Sequence, residues 1–214
     1  MVVMLVTSRS AAEYRAMFDL SPGGSFLDCC AGGSSFAAET PDVIAVDPAY
    51  TMGYAAMSRL VRAGLVDGDR MIAAHRDRFE WSWYGSVSAR AAMRLSAAEL
   101  FLADLRSRPS RYIAAALPDL PFASGSVDVA LCSHLLFTWA NRFDEQWHLR
   151  AITELLRVAR REVRIFPLVH QATGSPVAFL DHLRSSLPPS ELRPVPYRFQ
   201  RGAHHMLVID SQLW

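Results

Sequence analysis

Apolar runs that stop abruptly at a polar or small residue, separated by stretches with helical spacing, constrain this chain more than any other feature. Five such runs are SFLDCC (25–30), DVIAVDP (42–48), RYIAAALP (111–118), VDVALCSHLLF (127–137) and EVRIFPLV (162–169). Nearly continuous apolar character suits strands covered on both faces. Strands alternating with helices imply a parallel sheet joined by right-handed crossovers. Two further runs, PVPYRFQ (194–200) and HMLVID (205–210), separated by Arg201, Gly202 and Ala203, predict an antiparallel terminal hairpin. With 214 residues, the expectation is one α/β domain spanning 1–214.

Between the runs the spacing turns helical. Residues 8–20 place Ala11, Ala12, Tyr14, Met17 and Phe18 at near-helical intervals, and Ser10 with Glu13 fits a capping box. SPGG (21–24) is a turn. The segment 143–159 carries a helical stripe of Trp147, Ile152, Leu155, Leu156 and Val158. The stretch 51–109 is rich in Arg and Ala and holds no convincing strand. Its segments YAAMSRLVRAGL and ARAAMRLSAAELFLADLR read as helices around the aromatic cluster FEWSWYG (79–85), which together predict a helical lid over the open ends of the first two strands.

Charge and composition narrow the classes of function. Basic and acidic residues number 22 and 21, for a net charge of +1, with Arg far outnumbering Lys. Nothing in that balance calls for nucleic acid or an acidic surface as a partner. Hydrophobic residues make up 51% of the chain, yet no run approaches the length that spans a bilayer. MVVMLVTSRS has neither a basic region before its apolar stretch nor a cleavage pattern after it, so the expectation is a cytoplasmic protein without membrane association. The oligomeric state is not legible.

In an open α/β sheet, ligands sit outside the carboxyl ends of the strands. Four such ends line up here. Asp28 to Ser35 offers small residues that let backbone approach a ligand. Asp47 ends the second run about twenty residues later, where an acid can accept hydrogen bonds from both ribose hydroxyls. The loop 115–122 and the pair Ser133 and His134 complete the set.

These residues resemble the class I S-adenosylmethionine-dependent methyltransferases. The family's turn, an acid followed by glycines at every second position, is matched by Asp28, Cys29, Cys30, Ala31, Gly32, Gly33 and Ser34, with Cys30 and Ser34 in place of glycine. Asp47 in IAVDPAY matches its acidic strand end, and ALPDLPFASGSVDVALCSHLLF is similar to its loop and fourth strand. The resemblance covers nearly the whole chain apart from 51–109. It implies a Rossmann-like, mostly parallel sheet with an antiparallel C-terminal hairpin, and methyl transfer from S-adenosylmethionine. The implied cofactor contacts are Tyr14, Asp28, Cys29, Ala31, Gly32, Ser34, Asp47, Pro48, Ala116, Leu117, Pro118 and Ser133. Ala116 stands about where many members carry an acid for the adenine amino group. His134 is the candidate base, since a strand-end imidazole titrates near neutral pH.

Trp83 and Tyr84 are expected to wall the acceptor site, as are Arg201 and His205 near the hairpin turn. The tetrapeptide of nucleic-acid methyltransferases, of the Asn-Pro-Pro-Tyr type, is absent where CSHL stands, which favours a small-molecule acceptor. No metal is expected: Cys29 and Cys30 on a strand would point to opposite faces, and the adjacent His204 and His205 would diverge. Two alternatives stay open, a scaffold that keeps the fold but has lost transfer, and a nicotinamide-dependent oxidoreductase. The second fits poorly because the turn lacks the G-x-G-x-x-G spacing.

Overall fold

The computed structural model describes residues 6–21 and 23–213, without the Leu213 side chain. The opening MVVML, part of the stretch read as lacking a leader, and Pro22 of the SPGG turn lie outside them. Seven strands form one sheet: β1 (Phe26–Cys29), β2 (Val43–Val46), β3 (Tyr112–Ile113), β4 (Val127–Ser133), β5 (Ala159–Phe166), β6 (Ser190–Pro194) and β7 (His205–Asp210). Their order is β3-β2-β1-β4-β5-β7-β6, with β1 to β5 parallel and β7 antiparallel to both its neighbours. The order reverses between β1 and β4, so Cys29 faces Cys132 in register and the chain leaves both strands at the same sheet edge. A crevice opens at such a switch point.

Side-chain alternation along the strands divides the core in two. On one face, Phe26 and Leu131 pack with Tyr14, Met17 and Phe18 of α1 (Ala11–Phe18), with Phe36 of α2 (Phe36–Glu39), and with α3 (Gly53–Ala74) and α4 (Val87–Ser107). On the other, Leu27, Ala130 and Cys132 pack against Ile152, Leu155 and Leu156 of α5 (Glu145–Val158) and Leu183 of α6 (Leu180–Ser185). No helix among the described residues is long and apolar enough to cross a membrane.

Local chemistry sets the element ends. The Ser10 side chain accepts from the Glu13 amide while the Glu13 carboxylate accepts from the Ser10 amide, the predicted capping box. Asp144 caps α5 by accepting from the Trp147 amide. The third apolar run yields only the two-residue edge strand β3. The terminal hairpin departs from expectation: its first strand is Ser190–Pro194, and 195–204 is a long connection. Pro194 and Pro196 cannot donate to a ladder, and Val195, Tyr197 and Phe199 turn inward to be buried against the helical insertion.

α3 and α4, the two long helices of the stretch 51–109, are held to the core by more than apolar contact. Arg94 of α4 donates to the Glu13 carboxylate at 2.6 Å; both side chains are buried. The Tyr84 hydroxyl donates to the same carboxylate at 2.5 Å and lies 2.8 Å from the Tyr197 hydroxyl. Burial alone would raise the Glu13 carboxyl, but Arg94, Arg9 and the hydrogen bonds from Tyr84 and Ser10 hold it below its ordinary value.

α3 also presses on the segment before α1. A methyl at Gly64 would stand 2.0 Å from the Val6 carbonyl oxygen, whereas one at Gly68 would meet nothing closer than an Arg90 nitrogen at 4.0 Å. Gly64→Ala should therefore destabilise the protein by about 1–3 kcal/mol through enforced backbone movement. Gly68→Ala in the same helix should stabilise it by about 0.5–1 kcal/mol. Urea denaturation of both variants checks the contrast.

Candidate functional site

At the switch point the chain leaves β1 through a strained turn. Cys30 adopts φ +63° and Gly32 φ +58°, both left-handed. That conformation favours glycine; the cysteine at position 30 adopts it at a cost of about 1–2 kcal/mol. Because Cys30 has left the strand, its sulfur does not point away from that of Cys29: the two lie 3.9 Å apart. This corrects the expectation of divergent thiols. All three cysteines are free, and among the described residues no group of three or more His, Cys, Asp or Glu side chains is placed to hold a metal ion.

The small residues of the turn serve the chain's own backbone. The Gly33 amide donates to the Thr7 carbonyl at 3.0 Å and the Ser35 amide to the Arg9 carbonyl at 2.8 Å. A methyl at Gly33 would stand 2.9 Å from both Ser8 Oγ and a Val61 methyl. The segment 6–10 is thus clasped between the turn and α3, which delivers Thr7 and Arg9 to the sheet edge.

Two adjoining cavities open there. The smaller, about 220 Å³, is lined by Thr7, Arg9, Cys30, Gly32, Asp47 and Pro48 on one side. Ser133, His134, Leu135, Thr138, Trp139 and Gln171 line the other. The larger, about 430 Å³, lies beneath α3 and α4. It shares Thr7, Arg9, His134 and Gln171 with the first.

Asp47 caps a 3-10 turn, accepting from the Ala49 amide at 2.9 Å through Oδ1 and from the Gly32 amide at 3.0 Å through Oδ2. Each oxygen keeps a further lone pair. Burial pushes this carboxyl up, against those two bonds. Arg9 donates to Thr7 Oγ1 at 2.7 Å and pairs with no carboxylate among the described residues, where its Nε is buried and unsatisfied, as is Thr138 Oγ1. Buried groups left so are expected to meet a ligand or water. His134, at φ +55°, puts Nδ1 2.8 Å from Ser133 Oγ. Burial, and after it the charges of Arg9 and Arg94, push its imidazole well below the ordinary value.

Of the residues singled out from sequence, Gly32, Asp47, Pro48, Ser133 and His134 come together at the cavities. Tyr14 and Asp28 instead form a buried pair beneath the turn, with the Tyr14 hydroxyl donating to Asp28 Oδ1 at 2.8 Å. Cys29, Ala31 and Ser34 are buried and line neither cavity, and Ala116, Leu117 and Pro118 lie apart in a turn closed by the Asp119 amide. On the acceptor side, Trp83 and Tyr84 pack edge to face in the core around Tyr197. Arg201 is exposed and donates to the Asp77 carbonyl, and His205 is exposed on β7, so the hairpin turns both away from the cavities. Thr7, Arg9, Thr138, Trp139 and Gln171 gave no signal in the sequence, because they reach the site from the clasped segment and from loops beyond β4 and β5.

The methyltransferase-domain family model matches residues 84–166, from the insertion to the end of β5. Residues 84–166 thus match a methyltransferase domain, and the strand order with its antiparallel β7 is the Rossmann-like arrangement that the resemblance implied. An uncharacterized protein of Methanocaldococcus jannaschii is 25% identical over 213 residues, covering 96% of this chain and 95% of its own length. Among solved structures, magnesium protoporphyrin IX methyltransferase from Synechocystis, with bound SAM, is similar at 10% identity and TM-score 0.43, over 88% of this chain and 70% of that one. A SAM-dependent methyltransferase from Aquifex aeolicus is similar at 12% identity and TM-score 0.42, over 92% and 91%. TrmN from Thermus thermophilus is similar at 18% identity and TM-score 0.47, over 94% of this chain and 47% of that one.

Asp28 carries a pH signature. Burial, offset in part by the Tyr14 hydroxyl and added to by the Asp47 charge, raises its carboxyl from 3.8 to about 7. A carboxyl raised in the folded state stabilises below its unfolded value, and that contribution is lost as pH rises toward the folded one. Between pH 3.8 and about 7, wild type should therefore lose stability relative to Asp28→Asn by up to about 1.4 kcal/mol per pH unit. Denaturant midpoints of both proteins across that range test it.

Proposed function

We propose that the chain is one domain, with 51–109 as its lid, that methylates a small-molecule acceptor in the cytoplasm. The observation that carries the reading is the pair of adjoining cavities, one at the switch point and one roofed by the insertion, with His134 on the wall between them. A cavity with an apolar wall of Met71, Ile72, Phe79, Phe166 and Phe199 suits a small acceptor, and a net charge of +1 offers little to a phosphate backbone. Three free thiols suit a reducing compartment.

The side chains at the smaller cavity fit the cofactor. Asp47 keeps lone pairs for the ribose hydroxyls, the Gly32 turn permits close approach, and Arg9 holds an unmatched charge for the methionine carboxylate. The sulfonium supplies an already activated methyl group. What remains for the protein is to align the acceptor, exclude water and, for a protic acceptor, take a proton. In the tautomer that donates its Nδ1 proton to Ser133 Oγ, 2.8 Å away, His134 presents Nε2 as a proton acceptor. Its depressed basicity keeps it neutral through the physiological range.

Calorimetric titration with S-adenosylmethionine, S-adenosylhomocysteine and NAD tests the assignment. The first two should bind in the micromolar range and NAD not at all; absence of uptake would favour a fold that has lost transfer. Asp47→Asn and Arg9→Gln should each weaken S-adenosylhomocysteine by roughly ten- to a hundredfold, as expected for losing charge-assisted hydrogen bonds. His134→Gln should leave that affinity within about twofold while lowering kcat about a hundredfold. The wild-type rate should show no inflection at the ordinary imidazole value of 6.5, because His134 is already neutral there.

A further inference from the structure

The larger cavity has a charge pattern that the methyltransferase reading does not account for. Its wall is apolar except for Arg9, Arg90 and Arg94, the glutamines 171 and 200, Tyr197, His134, Thr7 and, at the rim, Asp67. Arg94 is matched by the buried Glu13. Gln200 is spent on the carbonyls of His170 and Gln171. Arg9 is shared with the smaller cavity, where the cofactor carboxylate takes it.

Arg90 remains. Its side chain is 8% exposed, yet among the described residues its one acidic partner is Asp69, 3.0 Å away and 52% exposed on the solvent side. Its Nε is buried without a partner. Its guanidinium lies 5.3 Å from the centroid of the Phe199 ring. A buried guanidinium so poorly matched is costly, and it keeps donors for a planar anion. The Phe199 and Phe79 rings stack on each other 4.6 Å apart at the same wall and line the cavity with apolar surface.

We propose that the acceptor carries an apolar body and a single carboxylate, with Arg90 binding the carboxylate and the Phe79 and Phe199 rings contacting the body. The inference rests on the methyltransferase reading of the adjoining site, since it takes this cavity as the acceptor's.

The test uses naphthalene-2-carboxylate and its neutral counterpart naphthalene-2-carboxamide as probes of the full chain, with and without saturating S-adenosylhomocysteine. Naphthyl fluorescence gives both dissociation constants. The carboxylate should bind roughly tenfold or more tightly than the carboxamide. Arg90→Gln should abolish the preference while still taking up S-adenosylhomocysteine, which shows that the variant is folded. Asp69→Asn, which frees Arg90 from its solvent-side partner, should keep or enlarge it. Equal binding of the two probes to wild type, or a preference that survives in Arg90→Gln, overturns the inference. Failure of S-adenosylhomocysteine to bind wild type counts instead against the cofactor site, and the preference is then still read from the protein without it.

Discussion

The clasp on residues 6–10 is the constraint on which the site depends. Two backbone hydrogen bonds tie this segment to the turn after β1, and Gly33 and Gly64 bring the turn and α3 within reach of it. Were either glycine to carry a side chain, the segment would be pushed off the sheet edge. Arg9 would go with it, and with Arg9 the unmatched charge that faces both cavities. The capping box at Ser10 and Glu13 then starts α1 at once, so the segment is fixed at its other end as well.

Glu13 joins this clasp to the helical insertion. Its carboxylate closes the capping box, receives Arg94 and accepts from Tyr84, so one buried acid serves a helix end, an ion pair and an aromatic cluster together. Removing one partner from a buried pair typically costs about 3–5 kcal/mol, because the other charge is stranded. The placement of Arg94 also feeds back on chemistry: its charge, with that of Arg9, helps keep His134 neutral.

The mostly parallel sheet was legible because apolar runs with sharp ends have few ways to be buried, and Asp47 and His134 stood out as polar residues at those ends. The capping box was legible because it is local. What escaped the sequence is what chain crossings decide. The glycines of the turn looked like room for a ligand, but Gly33 makes room for the chain's own Ser8, and only Gly32 lines a cavity. Tyr84 looked like an acceptor wall and proved to be a hydrogen-bond donor to Glu13. PVPYRFQ has strand composition, yet its prolines and its inward-facing Tyr197 and Phe199 make it a packed connection. Arg90 gave no signal, as one of many arginines on a helix whose buried side is set by the fold.

The buried Glu13 and Arg94 pair also bears on how such a chain can change over time. A helical segment held only by apolar contacts can be exchanged for another of similar shape, but here the acid sits in the helix before β1 and its counter-charge sits in α4. Neither half can be replaced alone without burying a lone charge. The helices of 51–109 and the core are therefore bound to drift together, and a transplanted helical segment would need to bring its own arginine at the position of Arg94.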